Sequence, residues 1–102
     1  MAEFVRLADL GQLEGEELAA FNVSGTRIAV AKVGGAFYAF DDTCTHLQCP
    51  LAEGELAGTV VTCPCHGSQF DVTTGAVLAG PAHEPVRSYP LRRENGALEV
   101  EI

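Results

Sequence analysis

The sequence predicts a small all-β domain of antiparallel sheets, a sandwich or a partly open barrel. Two observations carry this expectation. Apolar residues follow the period-2 alternation of half-buried strands, and the short apolar runs are separated at close spacing by glycine-, serine- and asparagine-bearing turns. Many short strands with almost no helical periodicity suit two packed sheets or a sheet closed on itself.

The elements follow in chain order. "FVRLA" (4–8) is the first strand candidate. "DLGQLEGEELAA" (9–20) has room for a helical turn or two, and Gly11 and Gly15 keep it short because glycine is unfavourable inside a helix. "LAAFNV" (18–23) and "TRIAVAKV" (26–33) are strands separated by the turn pair Ser24-Gly25, the second apolar on both faces as suits a well-covered strand. Gly34-Gly35 then leads into "AFYAF" (36–40), a hairpin with a primed turn. "TVVTC" (59–63), "QFDV" (69–72) and "AVLA" (76–79) are short candidates, the last two divided by "TTG" at 73–75. "VRSYPL" (86–91) and the turn "NG" (95–96) precede "ALEVEI" (97–102), which places Leu98, Val100 and Ile102 on one face and Glu99 and Glu101 on the other.

No repeat, low-complexity tract or linker divides the 102 residues, so a single domain over 1–102 is expected. A hydrophobic fraction of 47% against 20% charged residues suits a packed core. The apolar runs are too short for a membrane segment, and the acidic N-terminal stretch lacks the basic start and apolar stretch of an export signal. The expectation is a soluble, cytoplasmic monomer. With 14 acidic against 6 basic residues, the net charge of −8 repels phosphate backbones and excludes nucleic acid as a natural partner. An acidic surface suits a basic docking patch, although a solubilising excess with no addressee is the plainer account.

All four cysteines and two of the three histidines fall in "CTHLQC" (44–49) and "CPCH" (63–66). Both stretches lie between strand candidates, in loops of about 43–51 and 62–70, where a stiff scaffold presents functional groups. Each loop supplies one thiolate and one imidazole, Cys44 with His46 and Cys63 with His66. Thiolate suits zinc or iron–sulfur clusters, and imidazole suits zinc, copper and iron. A tetrahedral zinc would take two Cys and two His, but Cys-x-His is tighter than usual for zinc, and Cys49 and Cys65 are left over. A four-cysteine cluster would use them and leave His46 and His66 without a role. The residues alone leave both open.

"CTHLQCPL" followed by "CPCHGSQFD", supported downstream by Gly80-Pro81, resembles the cluster-binding loops of the Rieske [2Fe–2S] proteins. The short length and lack of an anchor resemble the soluble Rieske ferredoxins of oxygenase systems. The resemblance covers about the middle third of the chain and implies one [2Fe–2S] cluster as cofactor. Carried over residue by residue, Cys44 and Cys63 ligate the inner iron, and His46 and His66 ligate the outer iron nearer the surface. Two ferric ions, two sulfides and two thiolates then sum to zero, so adding an electron costs less than for an all-cysteine cluster. The potential accordingly rises into a range of roughly −150 to +300 mV.

The same resemblance assigns roles around the cluster. Ser68 donates its hydroxyl to a bridging sulfide and raises the potential. Phe70 stands where high-potential respiratory members carry a tyrosine, so that hydroxyl contribution is lost. Asp41, Asp42, Glu53 and Glu55 flank the first loop and oppose reduction by their charge, which puts the expected potential below the respiratory extreme. Metal-bound His46 and His66 couple electron to proton, so the potential should fall with pH in the alkaline range. Leu47, Pro50, Leu51 and Pro64 pack under the loops and exclude water. Gly67 serves a tight turn, and Pro81 stiffens a third loop shielding the cluster. His83 fits neither half-motif and is an exposed non-ligand; Tyr38 and Tyr89 belong to the core or a strand face.

In respiratory members the positions of Cys49 and Cys65 form a disulfide between the loops, so a disulfide bond is implied here too. Oxygenase ferredoxins commonly lack this pair, and a reducing cytosol favours free thiols, so the chain departs from the group its size suggests. No nucleophile–base pair or open-site metal triad is evident, and no enzyme is implied. The function implied is electron transfer from a flavin-dependent reductase to a terminal oxygenase or similar acceptor. The competing functions are the soluble head of a quinol-oxidising respiratory Rieske protein, a structural-zinc protein, and a nitrite reductase small subunit of the kind that can lack the cluster.

Overall fold

The computed structural model describes residues 3–13, 17–23, 25–44, 49–65, 67–80 and 82–101. In chain order, β1 (Phe4–Asp9) is followed by a 3-10 turn (Leu10–Leu13), β2 (Leu18–Val23), β3 (Thr26–Val33) and β4 (Ala36–Asp41). A second 3-10 turn (Leu51–Glu53) precedes four three-residue strands, β5 (Glu55–Ala57), β6 (Val60–Thr62), β7 (Gln69–Asp71) and β8 (Val77–Ala79). The chain ends with β9 (Ser88–Tyr89), β10 (Leu91–Glu94) and β11 (Ala97–Glu101). Among the described residues these strands form three antiparallel sheets, ordered β1-β11-β10, β2-β3-β4-β9 and β5-β6-β7-β8. The all-β expectation is met. No helix among the described residues is long and apolar enough to cross a membrane.

The central β2-β3-β4-β9 sheet is covered on both faces, which is why β3 lacks a polar side. Ile28 and Val30 join Ala39, Leu98 and Val100 in one core, while Ala29 and Ala31 join Phe40, Leu51, Val61 and Phe70 in the other. Strand β11 buries Leu98 and Val100 and leaves Glu99 at the surface side, where it accepts a 2.6 Å bond from Arg92. The hairpin turns carry the positive φ that primed geometry demands, at Gly34 (56°) and Gly35 (85°) and at Asn95 (50°) and Gly96 (77°).

The departures have local causes. The acidic "DLGQLEGEELAA" stretch yields one 3-10 turn and then strand. Pro90 splits "VRSYPL" into β9 and β10 and sends them to different sheets. Proline lacks the N–H for a continuous ladder, and its carbonyl instead accepts the Glu101 N–H at 2.9 Å. Strand β5 and the second 3-10 turn are not apparent in the sequence. In the β7–β8 connection Asp71 accepts bonds from the Thr73 hydroxyl (2.6 Å) and amide (2.8 Å), which hold its carboxyl below the usual range.

Candidate metal centre

The first cysteine loop leaves β4 and is closed on itself by backbone pairing. Thr43 bridges Pro50, and the Cys44 N–H donates to the Cys49 carbonyl at 2.9 Å. Below this closure, Asp42 fastens the loop to the scaffold. Its carbonyl accepts the Leu51 N–H at 2.7 Å, and its carboxylate accepts the Ala52 N–H at 2.7 Å and the Arg27 guanidinium at 2.9 and 3.0 Å. On the β4 side, Asp41 accepts the Tyr89 hydroxyl at 2.5 Å. Burial, that bond and the Asp41 charge push the Tyr89 phenol up to about 12, and Arg87, 4.9 Å from the ring centre, opposes the shift.

The second loop turns tightly between β6 and β7. The Cys63 N–H donates to the Ser68 carbonyl at 2.8 Å and the Gly67 N–H to the Cys63 carbonyl at 3.2 Å. Gly67 sits at φ +76°, a conformation costly for residues with a Cβ. Ser68 is fully buried, and its Oγ accepts the Ala82 N–H at 3.0 Å, tying this loop to the segment after Gly80. Phe70 is fully buried and pairs with Val61 across β6–β7, so it forms the floor beneath the loop.

A disulfide joins Cys49 to Cys65 across 6.4 Å between Cα atoms and clasps the loops together. Cys44 and Cys63 are unbridged and only 1% and 3% exposed, within the same apolar cluster as Phe40, Leu51, Val61 and Phe70. The sulfur of Cys63 lies within 4.8 Å of both disulfide sulfurs, but those two are spent on each other and are not ligands.

Two buried free thiols from two clasped loops fit a thiolate-bound cluster. A metal ion neutralises thiolates that apolar surroundings would otherwise disfavour. His46, Leu47, His66 and Pro81 lie outside the described residues.

Other expectations meet the geometry directly. His83 is exposed, Leu51 is buried beneath the first loop, and Tyr38 packs half-buried against the cysteine-side core. Pro64 is exposed at the surface of the second loop rather than packed under it. Asp42 corrects the expectation of bare acidic charge around the first loop, because it is fully buried and paired with Arg27. The Tyr89 hydroxyl has an anchoring role that the alternating pattern of its segment gives no sign of.

The Rieske [2Fe-2S] domain family matches residues 3–90. The chain belongs to this family. Its cofactor is a Rieske-type [2Fe–2S] cluster. This Rieske chain is 36% identical over 100 residues to the ferredoxin component of the naphthalene 1,2-dioxygenase system of Pseudomonas putida, covering 98% of this chain and 93% of that protein. Among solved structures it resembles the ferredoxin of carbazole 1,9a-dioxygenase from Nocardioides aromaticivorans IC177, with a TM-score of 0.88, 34% identity and 95% of each chain covered. It also resembles a chain in a complex of reduced oxygenase and oxidized ferredoxin in carbazole 1,9a-dioxygenase, with a TM-score of 0.87, 33% identity, and 95% of this chain and 91% of that chain covered.

Proposed function

We propose that the chain is a single-domain, monomeric, cytoplasmic Rieske ferredoxin that takes electrons from a flavin-dependent reductase and delivers them to a terminal oxygenase. Cys44 and Cys63 hold one iron, and His46 and His66 hold the other. The observation that carries this reading is the pair of buried, unbridged thiols in two clasped loops, within a chain that matches dioxygenase ferredoxins over nearly its whole length. When bound, the cluster stores and releases one electron at a neutral, histidine-ligated centre.

The residues of the chain provide the setting. Leu51, Phe40 and Phe70 exclude water from the thiolate side, which raises the energetic weight of nearby charge. Ser68, held by Ala82, points a rigid hydroxyl whose donation to a sulfide would favour the reduced state. Gly67 bends the second loop without a side chain on its outer surface.

Purified holoprotein should contain equimolar iron and acid-labile sulfide and give the electron paramagnetic resonance spectrum of a mixed histidine–cysteine cluster. Zinc without a visible chromophore would overturn the assignment. Substituting His46→Cys should lower the potential in any variant that keeps its cluster, and an unchanged potential would remove His46 from the ligand set. Stopped-flow mixing of reduced protein with a terminal oxygenase should show electron transfer. A potential near the top of the Rieske range at neutral pH would favour quinol chemistry instead.

A further inference from the structure

Of the ion pairs among the described residues, Arg27–Asp42 alone has a fully buried member. The Asp42 carboxylate shares itself between the Ala52 N–H and the Arg27 guanidinium, while the two residues also join through the Asp42 N–H and the Arg27 carbonyl at 3.2 Å. Asp42 is two residues before Cys44, so their Cα atoms are at most about 7.6 Å apart. Arg27, by contrast, leaves 56% of its side chain exposed and lines a surface cleft of about 250 Å³ with Thr43, Pro50 and Glu53.

We propose that this pair tunes the reduction potential of the centre, Asp42 positioning the first loop and Arg27 cancelling the field of the Asp42 carboxylate at the cluster. The inference rests on the cluster being held at Cys44, as proposed above. A fully buried anion keeps little of the screening that water gives a surface carboxylate. Left alone it would oppose the arrival of an electron. Paired with Arg27 it presents a dipole, whose influence falls off faster with distance than that of a charge. The buried position lets the carboxylate clamp the loop by its hydrogen bonds, and the cation offsets the electrostatic penalty for doing so.

A clamp that acted only by holding the loop would behave differently from a charge pair. Loosening it from either side would disturb the same backbone bonds and move the potential the same way. An electrostatic pair predicts opposite signs: Arg27→Gln uncovers the anion and lowers the potential, while Asp42→Asn removes the anion and raises it. A unit charge about 12 Å away, at an effective dielectric constant of about 20, shifts a one-electron equilibrium about tenfold. That tenfold change reads as about 59 mV.

Voltammetry of the holoproteins at fixed pH and ionic strength tests this, with cluster content and thermal melting recorded for each. Arg27→Gln should make reduction about tenfold less favourable, Asp42→Asn should shift it in the opposite direction, and the double variant should return close to the parent. Arg27→Lys, which keeps the charge, should match the parent. Shifts of the same sign in both single variants, or an Arg27→Gln potential equal to that of Arg27→Lys, would overturn the proposal. Should Asp42→Asn lose its cluster, the contrast between the two Arg27 variants decides alone. If the parent protein itself gave no reversible one-electron wave, the proposed function would fall first; a wave without the sign reversal sinks the pair only.

Discussion

The two faces of the central sheet are stabilised in different ways. Against β1, β10 and β11 the outer core contains Leu13, Ile28, Val30, Tyr89, Leu98 and Val100, drawn mainly from strands of four to eight residues. Against β5–β8 it consists of Phe40, Leu51, Val61, Phe70 and Val72 together with two thiols, fed by strands of three residues. Three-residue strands form few ladder bonds, and the connections around them leave much of their backbone outside any ladder. The second half therefore depends on fasteners: the Cys49–Cys65 disulfide, the Asp42 clamp, the Ser68–Ala82 bond and a close approach of Gly75 to Val86. Burial of alternating side chains is enough for the first half. Precision around a redox centre requires the second kind of construction.

The largest effect that should separate the halves comes from Leu98→Ala. Leu98 is 1% exposed at the middle of the outer core, and truncating such a leucine costs about 2–5 kcal/mol through lost burial and a residual cavity. Calorimetry should show this loss while the potential of the holoprotein stays unchanged. A shifted potential would mean that the outer core reaches the centre after all.

Replacing both Cys49 and Cys65 by serine should cost slightly less, about 3 kcal/mol for a bridge of this span. The cost should fall on the other half. Amide exchange should accelerate across β5–β8 while β1 and β11 keep their protection, and a strong reductant should reproduce the effect in the unmodified chain. Equal acceleration in both halves would show that the bridge stabilises the whole domain and not its shorter strands.

A subtler contrast lies between two glycines with similar backbones. Gly75 and Gly96 sit at φ +84° and +77°, but a Cβ on Gly75 would run into the Val86 carbonyl whereas one on Gly96 meets nothing within 4 Å. Gly96→Ala should cost about 1 kcal/mol for the left-handed conformation alone. Gly75→Ala should cost more, roughly 1–3 kcal/mol, because it also disturbs the 2.9 Å bond from the Val86 N–H to the Gly75 carbonyl. Thermal melts of the two variants measure the difference, and equal losses would mean that the Val86 segment yields freely.

The same asymmetry governed what was legible in the sequence. Strands β2 and β3 match their apolar runs to the residue, because long alternation against a covered sheet leaves little choice of register. Strand β5 is only Glu-Leu-Ala within a stretch of Glu and Gly, and its strand character comes from pairing with β6. Cys44 and Cys63 were legible as ligand candidates because thiolate chemistry restricts which residues can serve. The disulfide followed only from the family resemblance, since Cys49 and Cys65 are equally consistent with free thiols. The Arg27–Asp42 pair lies one step beyond the Ile28–Asp41 pairing in the β3–β4 hairpin, so its register was legible. The complete burial of Asp42 and its bond to the Ala52 N–H were not, because they depend on how the chain after Pro50 packs against it. His46, Leu47, His66 and Pro81 remain expectations resting on the motif.

The smallest effect belongs to the residue that joins the two halves. Tyr89 pairs with Ala39 and packs its ring in the outer core, yet its hydroxyl is bonded to Asp41 at the root of the first cysteine loop. Tyr89→Phe keeps the ring and removes one hydrogen bond, for an expected loss of about 1 kcal/mol at neutral pH. Its signature is in the pH dependence. The folded chain holds the phenol proton up to about 12, whereas the unfolded chain releases it near 10.0. The protonated form is the one the fold favours, so this contribution is complete below pH 10 and is lost as pH rises from 10 towards 12. The stability gap between the parent and Tyr89→Phe, followed by denaturant titration, should therefore narrow across that window. The absence of a gap at neutral pH would show that the ring alone joins the halves, and a gap that stayed constant with pH would show that the fold does not hold the phenol proton.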